Sequence, residues 1–295
     1  MKTKKLATAF AVLAAALYAI NIPLSKLLLS HVGSTMMAAF LYLGAGIGMF
    51  LYCTIGTIAG KRKEKERLTK AELPYTIAMV VLDIIAPILL MIGITKTNAA
   101  NVSLLNNFEI VATSLIALFI FKEFISKKLW VAIGLVALAS VILSFSGSDA
   151  FTFNTGSLFV LGACVCWGFE NNCTKMLSSK SSEQIVIIKG CFSGLGSLIV
   201  ALVLGESIPS LKFIFVILLL GFVAYGLSIN FYIMAQKDLG AAKTSAYYSI
   251  APFLGVAFSM LFLQERPALQ FYIALAIMIV STIVMTKDTI EQNHS

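Results

Sequence analysis

The sequence predicts an all-α integral membrane protein of ten transmembrane helices, arranged as two inverted five-helix repeats. Three observations carry this. The 295 residues are 59% hydrophobic and 12% charged, whereas soluble domains hold about 25% charged residues. Apolar stretches of membrane-spanning length follow one another with only short polar separators. Polar residues in the first half recur at matching positions in the second. The mean hydropathy of +0.93 agrees, and so much apolar surface excludes a soluble enzyme, a secreted module or a nucleic-acid binder.

A hydrocarbon core about 30 Å thick needs roughly 20 apolar residues per helix. The spans fall at about 6–30, 35–59, 74–95, 99–121, 129–146, 155–177, 184–205, 211–236, 241–263 and 268–286. The first follows Lys2, Lys4 and Lys5 in the manner of a signal peptide. It continues to about residue 30 and has a counterpart later in the chain, so it reads as a retained helix. The separators are His31-Val32-Gly33-Ser34, a basic run (Lys61, Arg62, Lys63, Lys65, Arg67, Lys70), Lys96-Thr97-Asn98, Ser126-Lys127-Lys128 and Gly147-Ser148-Asp149. None could hold a soluble domain.

The net charge of +8 is concentrated on one side. Alternate separators hold the N-terminal lysines, the basic run, Lys122, Lys127, Lys128, Lys180, Lys237 and Lys287; the others hold Lys96, Lys212 and Arg266. Basic loops stay in the cytoplasm, which predicts a multi-pass cell-membrane protein with both termini cytoplasmic. The five cysteines lie in apolar stretches and read as buried free thiols. Cys164-x-Cys166 with Cys173 has no nearby histidine, so neither a metal nor another cofactor is expected.

The halves are 1–147 and 148–295. A shift of 149 places Tyr18, Asn21, Ser25 and Lys26 on Trp167, Glu170, Thr174 and Lys175. A shift of 142 places Ala99-Ala100, Ser103 and Glu123 on Ala241-Ala242, Ser245 and Glu265. Gly44, Gly46 and Gly48 of the second span face Gly190, Gly194 and Gly196 of the seventh in this correspondence; small residues let helices approach and slide. An odd number of helices per repeat turns the halves opposite ways, and in such proteins the binding site lies near mid-bilayer.

The duplicated five-helix halves, Tyr18…Lys26 echoed by Trp167…Lys175, and the Pro252…Leu263-Gln264-Glu265 ending of the ninth span resemble the EamA branch of the drug/metabolite transporter superfamily. That resemblance implies alternating access through a central cavity lined mainly by spans 1, 3, 4, 6, 8 and 9. One position departs from it: Ile110, preceded by Glu109, stands where the first half should match Pro252.

Charges inside spans are costly and mark functional sites. Asp83 and Glu109 each lie about nine or ten residues into their spans, near mid-bilayer, with no evident basic neighbour. Glu170 lies nearer the cytoplasm, and an ion pair with Lys189 is its structural alternative. Helical spacing groups Asn106, Glu109 and Thr113; Tyr18, Asn21 and Ser25; and Trp167, Glu170 and Thr174 on single faces. Tyr225, Ser228 and Tyr232 line the eighth span, and Ser245, Tyr248 and Pro252 the ninth, with Tyr247 turned away. Pro87 and Pro252 free the carbonyls of Asp83 and Tyr248. Lys26, Lys175 and Lys243 can snorkel to the interface, and Glu123 and Glu265 at span ends read as structural.

Carboxylates on spans 3, 4 and 6 facing aromatics on 6, 8 and 9 favour an ammonium group. The expectation is a secondary transporter of a small polar metabolite, with amino acids, amines or organic cations favoured. Substrate-binding candidates are Glu109, Asp83, Asn106, Asn21, Tyr18, Trp167, Glu170, Tyr225 and Tyr248. Glu109 first and Asp83 second are candidates to exchange a proton for the substrate. The alternative is a facilitator or exchanger of an anionic or neutral metabolite without protons. An intramembrane enzyme lacks its motifs: there is no His-Glu-x-x-His, no Gly-x-Ser-x-Gly and no phosphate loop. Expected partners are a small-molecule substrate, the lipid bilayer and a proton, but no nucleic acid, in a monomer or homodimer.

Overall fold

The computed structural model describes residues 2–58, 66–120, 126–144, 154–177, 180–239, 248, 250–264 and 267–291. Lys61, Arg62, Lys63 and Lys65 of the basic run, Lys122, Glu123, Gly147-Ser148-Asp149, Ala241-Ala242, Lys243, Ser245, Tyr247, Glu265, Arg266 and His294 lie outside the described residues. Among those described, every regular element is helical.

The first span is broken. Helix α1 (Lys2–Ala19) stops at Ile20 and α2 (Asn21–Leu28) follows. Pro23 has no N–H for the Ala19 carbonyl and its ring crowds that carbonyl, which accounts for the break. α3 (Ser34–Ile58) has no acid in its own first turn; Glu206 caps it from another loop, accepting from Thr35 N at 3.0 Å and Met36 N at 2.7 Å. Thr69 and Glu72 form a reciprocal capping box around a single 3-10 turn (Lys70–Glu72), which leads into α4 (Leu73–Lys96) with Pro87 inside it.

The fourth span is also split. α5 (Ala99–Leu105) is capped by Asn98, whose side chain accepts from Asn101 N at 2.8 Å. The chain turns at Asn106-Asn107 and resumes as α6 (Phe108–Phe119). α7 (Lys127–Ser144), α8 (Thr155–Leu177) and α9 (Ser182–Val203) follow. The eighth span begins as α10 (Leu211–Gly221), widens into a π-helical segment (Phe222–Leu227) and ends as α11 (Ser228–Leu239). α12 (Ala251–Leu263) and α13 (Leu269–Glu291) complete the described chain.

Six stretches are long and apolar enough to cross a membrane: Leu6–Leu28, Ser34–Gly56, Lys70–Lys96, Ala99–Phe119, Ser182–Val203 and Leu211–Ala235. Trp130–Ile142, Ala251–Leu263 and Leu269–Val284 are shorter apolar helices. α8, with Glu170, Asn171, Asn172 and Lys175 towards its end, is in neither group.

The packing is two-fold in pattern. α3 crosses α9, α7 packs on α13, and α5 on α12. α4 packs on α8 as α11 packs on α1, and α6 meets α8 as α12 meets α1. Exchanging the halves maps each of these pairings onto itself or another of them. Met36, Met37, Leu41, Tyr42, Leu90 and Met91 fill the centre. Phe50, Leu51, Ile55, Leu195, Ile199 and Leu202 are exposed, an apolar outer surface suited to lipid.

Candidate functional site

The α3–α9 crossing sets the site. Lys189 precedes Gly190, whose contact with Gly46 brings the two backbones together. From there the Lys189 ammonium lies 3.0 Å from Asp83 Oδ2 on α4 and 3.0 Å from Glu170 Oε1 on α8. All three are buried, Asp83 completely. Tyr42 of α3 donates its hydroxyl to Asp83 Oδ1 at 2.9 Å, and Thr174 donates to Glu170. The expectation that Asp83 has no basic neighbour is therefore overturned: depth along α4 is legible in sequence, but the direction from which α9 approaches is not. The Glu170–Lys189 pair is present, and the same ammonium also serves Asp83. With both acids ionised, two carboxylates against one ammonium would leave the cluster one negative charge in excess.

An aromatic path leads away from it. The rings of Tyr42 and Tyr225 lie 5.2 Å apart. Tyr225, in the π-helical segment, accepts from Asn21 Nδ2 at 3.0 Å, and Ser25 donates to Asn21 Oδ1 at 3.0 Å. Tyr18 meets Tyr225 edge-on at 5.8 Å and Tyr248 at 6.0 Å, and Tyr232 meets Tyr248 at 4.9 Å. Tyr18 and Asn21 are thus on one side of this path and Tyr225 and Tyr248 on the other, across α1–α2 and the eighth and ninth spans. π-Helical insertions are frequent at functional sites because they rotate side chains out of the regular register.

Glu109 occupies a separate position in the first turn of α6. Asn171 donates to its Oε1 at 2.7 Å and also reaches Thr113 Oγ1 at 3.3 Å. Asn172 donates to the Thr113 carbonyl at 3.2 Å, fastening α8 to α6. Glu109 is half-buried and forms no ion pair among the described residues. It lies within electrostatic reach of Tyr18, Tyr225 and Tyr248, and of Glu170 and Lys189.

The Asn106-Asn107 turn shapes this corner. The amide of Glu109 bonds to Asn106 O at 3.1 Å, so Leu105 O is released from the regular ladder and receives the Cys164 thiol at 3.7 Å. Asn106 is buried, and its Nδ2 has no partner among the described residues. Pro252 stands in the first turn of α12, which begins at Ala251 with Ile250 at its N-cap position. Trp167 is buried. Lys26, expected to snorkel, instead donates to Ile94 O and to Thr97 O at 2.6 Å, capping the end of α4.

Tyr42, Asn171 and the breaking action of Pro23 were not singled out in the sequence. Asn171, adjacent to Glu170 on a polar turn of α8, carried the clearest signal. Among the described residues no three His, Cys, Asp or Glu side chains gather as a metal-ligand set.

The profile of the EamA-like transporter family matches residues 5–145 and again residues 154–287. A curated relative from Methanothermobacter thermautotrophicus, named an uncharacterized transporter, is 26% identical over 265 residues, which are 84% of this chain and 76% of that protein. A solved crystal structure with 16% sequence identity superposes at a TM-score of 0.71 over 96% of both chains, a likeness of fold.

Proposed function

This chain belongs to the EamA-like transporter family, and from that premise we propose that it carries a small amine-bearing metabolite, an amino acid, amine or organic cation, by alternating access. In this reading ten spans form two inverted five-helix halves, 1–147 and 148–295, in the cell membrane with both termini cytoplasmic. Glu109 receives the substrate ammonium. Tyr18, Tyr225 and Tyr248 offer ring faces to it, while Asn21, Asn106 and Trp167 complete the lining. Asp83 and Glu170 sit behind, sharing Lys189.

The observation that carries the reading is the charge balance: among the described residues Lys189 pairs with Asp83 and Glu170, and Glu109, held by Asn171, has no ammonium of its own. Uncompensated charge within a membrane is expensive, so a cationic group or a proton at Glu109 relieves it. This gives a direct exchange of proton for substrate, with Glu109 as the exchanging group and Asp83 as the second candidate. An anionic substrate is disfavoured, because Lys189, the buried ammonium at the site among the described residues, is already engaged by two carboxylates.

A thermal-shift screen of the purified protein against amines, amino acids and anionic metabolites tests the substrate class, since a ligand of the native state raises its stability by mass action. Cationic or zwitterionic hits are expected; a set containing anions alone would overturn the class. With a hit in hand, proteoliposome uptake driven by a pH gradient tests the coupling. Uptake that survives unchanged in a Glu109→Gln, Asp83→Asn double variant would remove the proton mechanism.

A further inference from the structure

The surroundings of Lys189 are those of a small-cation site. Its ammonium touches one oxygen of Asp83 and one of Glu170, both at 3.0 Å. The Tyr42 hydroxyl holds the other oxygen of Asp83, and the Thr174 hydroxyl holds Glu170. Two carboxylate oxygens on one positive charge, each carboxylate itself held by a hydroxyl, are hard oxygen donors of the kind that suit a hard cation. The side chain is delivered rigidly: Gly190 lies against Gly46, and Ser193, one turn further along α9, donates to Val80 O of α4 at 3.1 Å. α9 is thereby pinned to the helix that carries Asp83.

We propose that Lys189 is a tethered co-ion. Its ammonium fills the place of a free monovalent cation between Asp83 and Glu170, so the transporter needs no alkali ion. The same plug closes that acidic pair to a substrate ammonium and leaves Glu109 as the carboxylate that meets the substrate. Only the last step rests on the proposed function. The plug is tested with sodium and lithium, which lie outside the proposed substrate class, so either reading can fail while the other stands.

The test is thermal unfolding of purified Lys189→Ala and wild-type protein in equal concentrations of sodium, lithium or choline chloride, and of n-butylammonium or tetramethylammonium chloride. Matching ionic strength removes general screening from the comparison. The wild type should gain nothing from sodium or lithium over choline; any rise it shows with the organic ammonium salts belongs to the Glu109 site and is the baseline for the variant. In Lys189→Ala, sodium, lithium or butylammonium should raise the midpoint beyond the wild type's own response to the same salt by about 2–4 °C or more. Equal midpoints for the variant in every salt, or the same sodium-specific rise in the wild type, would overturn the proposal. Should Lys189→Ala yield no folded protein, an Asp83→Asn, Lys189→Ala variant restores the original charge excess through Glu170 alone. Sodium or lithium should then stabilise it over choline more than they do the wild type, and equality there is equally fatal.

Discussion

Gly190 touches Gly46 backbone to backbone: a Cβ on Gly190 would lie 2.3 Å from the Gly46 amide nitrogen, and one on Gly46 would lie 2.5 Å from that of Cys191. No side-chain rearrangement can relieve those overlaps. Gly190→Ala or Gly46→Ala must push α3 and α9 apart, which costs about 1–3 kcal/mol of overpacking strain and displaces Lys189 with its helix. Gly134, with nothing within 4 Å of a built Cβ, gives the opposite sign: Gly134→Ala should stabilise by about 0.5–1 kcal/mol through helix propensity. Unfolding midpoints in one detergent compare all three.

The loop acid Glu206 holds the start of α3 through Thr35 N and Met36 N. Two amide hydrogen bonds and the helix dipole both favour a carboxylate there. Glu206→Ala should cost about 0.5–2 kcal/mol, and Glu206→Gln less, because one acceptor oxygen remains. Gly33 is part of the arrangement, since a Cβ there would lie 2.3 Å from Glu206 Oε2. Gly33→Ala should therefore weaken the same cap, and adding it to Glu206→Ala should cost less than the sum.

Lys180 lies 2.8 Å from Glu66 Oε1 and 3.7 Å from Glu72 Oε1, joining the loop after α3 to the turn between α8 and α9. Its hydrogen bond to Glu66 raises its pKa above the ordinary lysine value. A raised value in the folded state contributes stability that is complete below the unfolded value of about 10.4 and lost as pH climbs through the folded one. The stability difference between wild type and Lys180→Ala should thus stay flat from about pH 6 to 9 and shrink above about pH 10. A difference that changes across neutral pH would contradict this assignment.

What was legible in the sequence follows from what a one-dimensional pattern encodes. Hydropathy fixed where helices lie, and i, i+3, i+4 spacing brought Tyr18 and Asn21 to one face and Glu109 and Thr113 to another. The paired glycines of α3 and α9 were visible as a repeat correspondence, though not as a direct contact. Azimuth and helix order were hidden: nothing in the local sequence tells which of several helices turns towards Asp83, so its partnership with Lys189 could not be read. The breaks at Ile20 and Asn106-Asn107 were missed for a different reason. Both lie within apolar runs whose hydropathy continues across them, and only the position of Pro23, one turn past Ile20, signalled the first.

Tyr225 and Asn21 form a buried hydrogen bond of 3.0 Å across the halves, and Asn21 Oδ1 is already taken by Ser25. Tyr225→Phe keeps the ring contacts with Tyr18 and Tyr42 but strands the Asn21 amide without an acceptor. An unsatisfied buried donor costs about 1–3 kcal/mol. A further Asn21→Leu change removes the stranded group, so the double variant should recover part of that loss. A double-mutant cycle on unfolding midpoints measures the recovery; strictly additive losses would show the bond to be inert.

Asn171 orients Glu109 by donating to Oε1 while also reaching Thr113. Hydrogen bonds to a charged group are worth about 1.5–3 kcal/mol, so Asn171→Leu should free the carboxylate to rotate and, if Glu109 meets the proposed substrate, weaken amine binding by roughly 10-fold or more. Asn171→Gln can restore the donor from a longer arm and should recover part of the affinity. Because Asn172 independently holds α8 to α6 through Thr113 O, the helix pair survives the change, and the unfolding midpoint without ligand should move little. An affinity loss without a stability loss marks Asn171 as a positioning residue for Glu109. Equal falls in both would assign it to packing instead, and an unchanged amine affinity would detach Glu109 from the substrate.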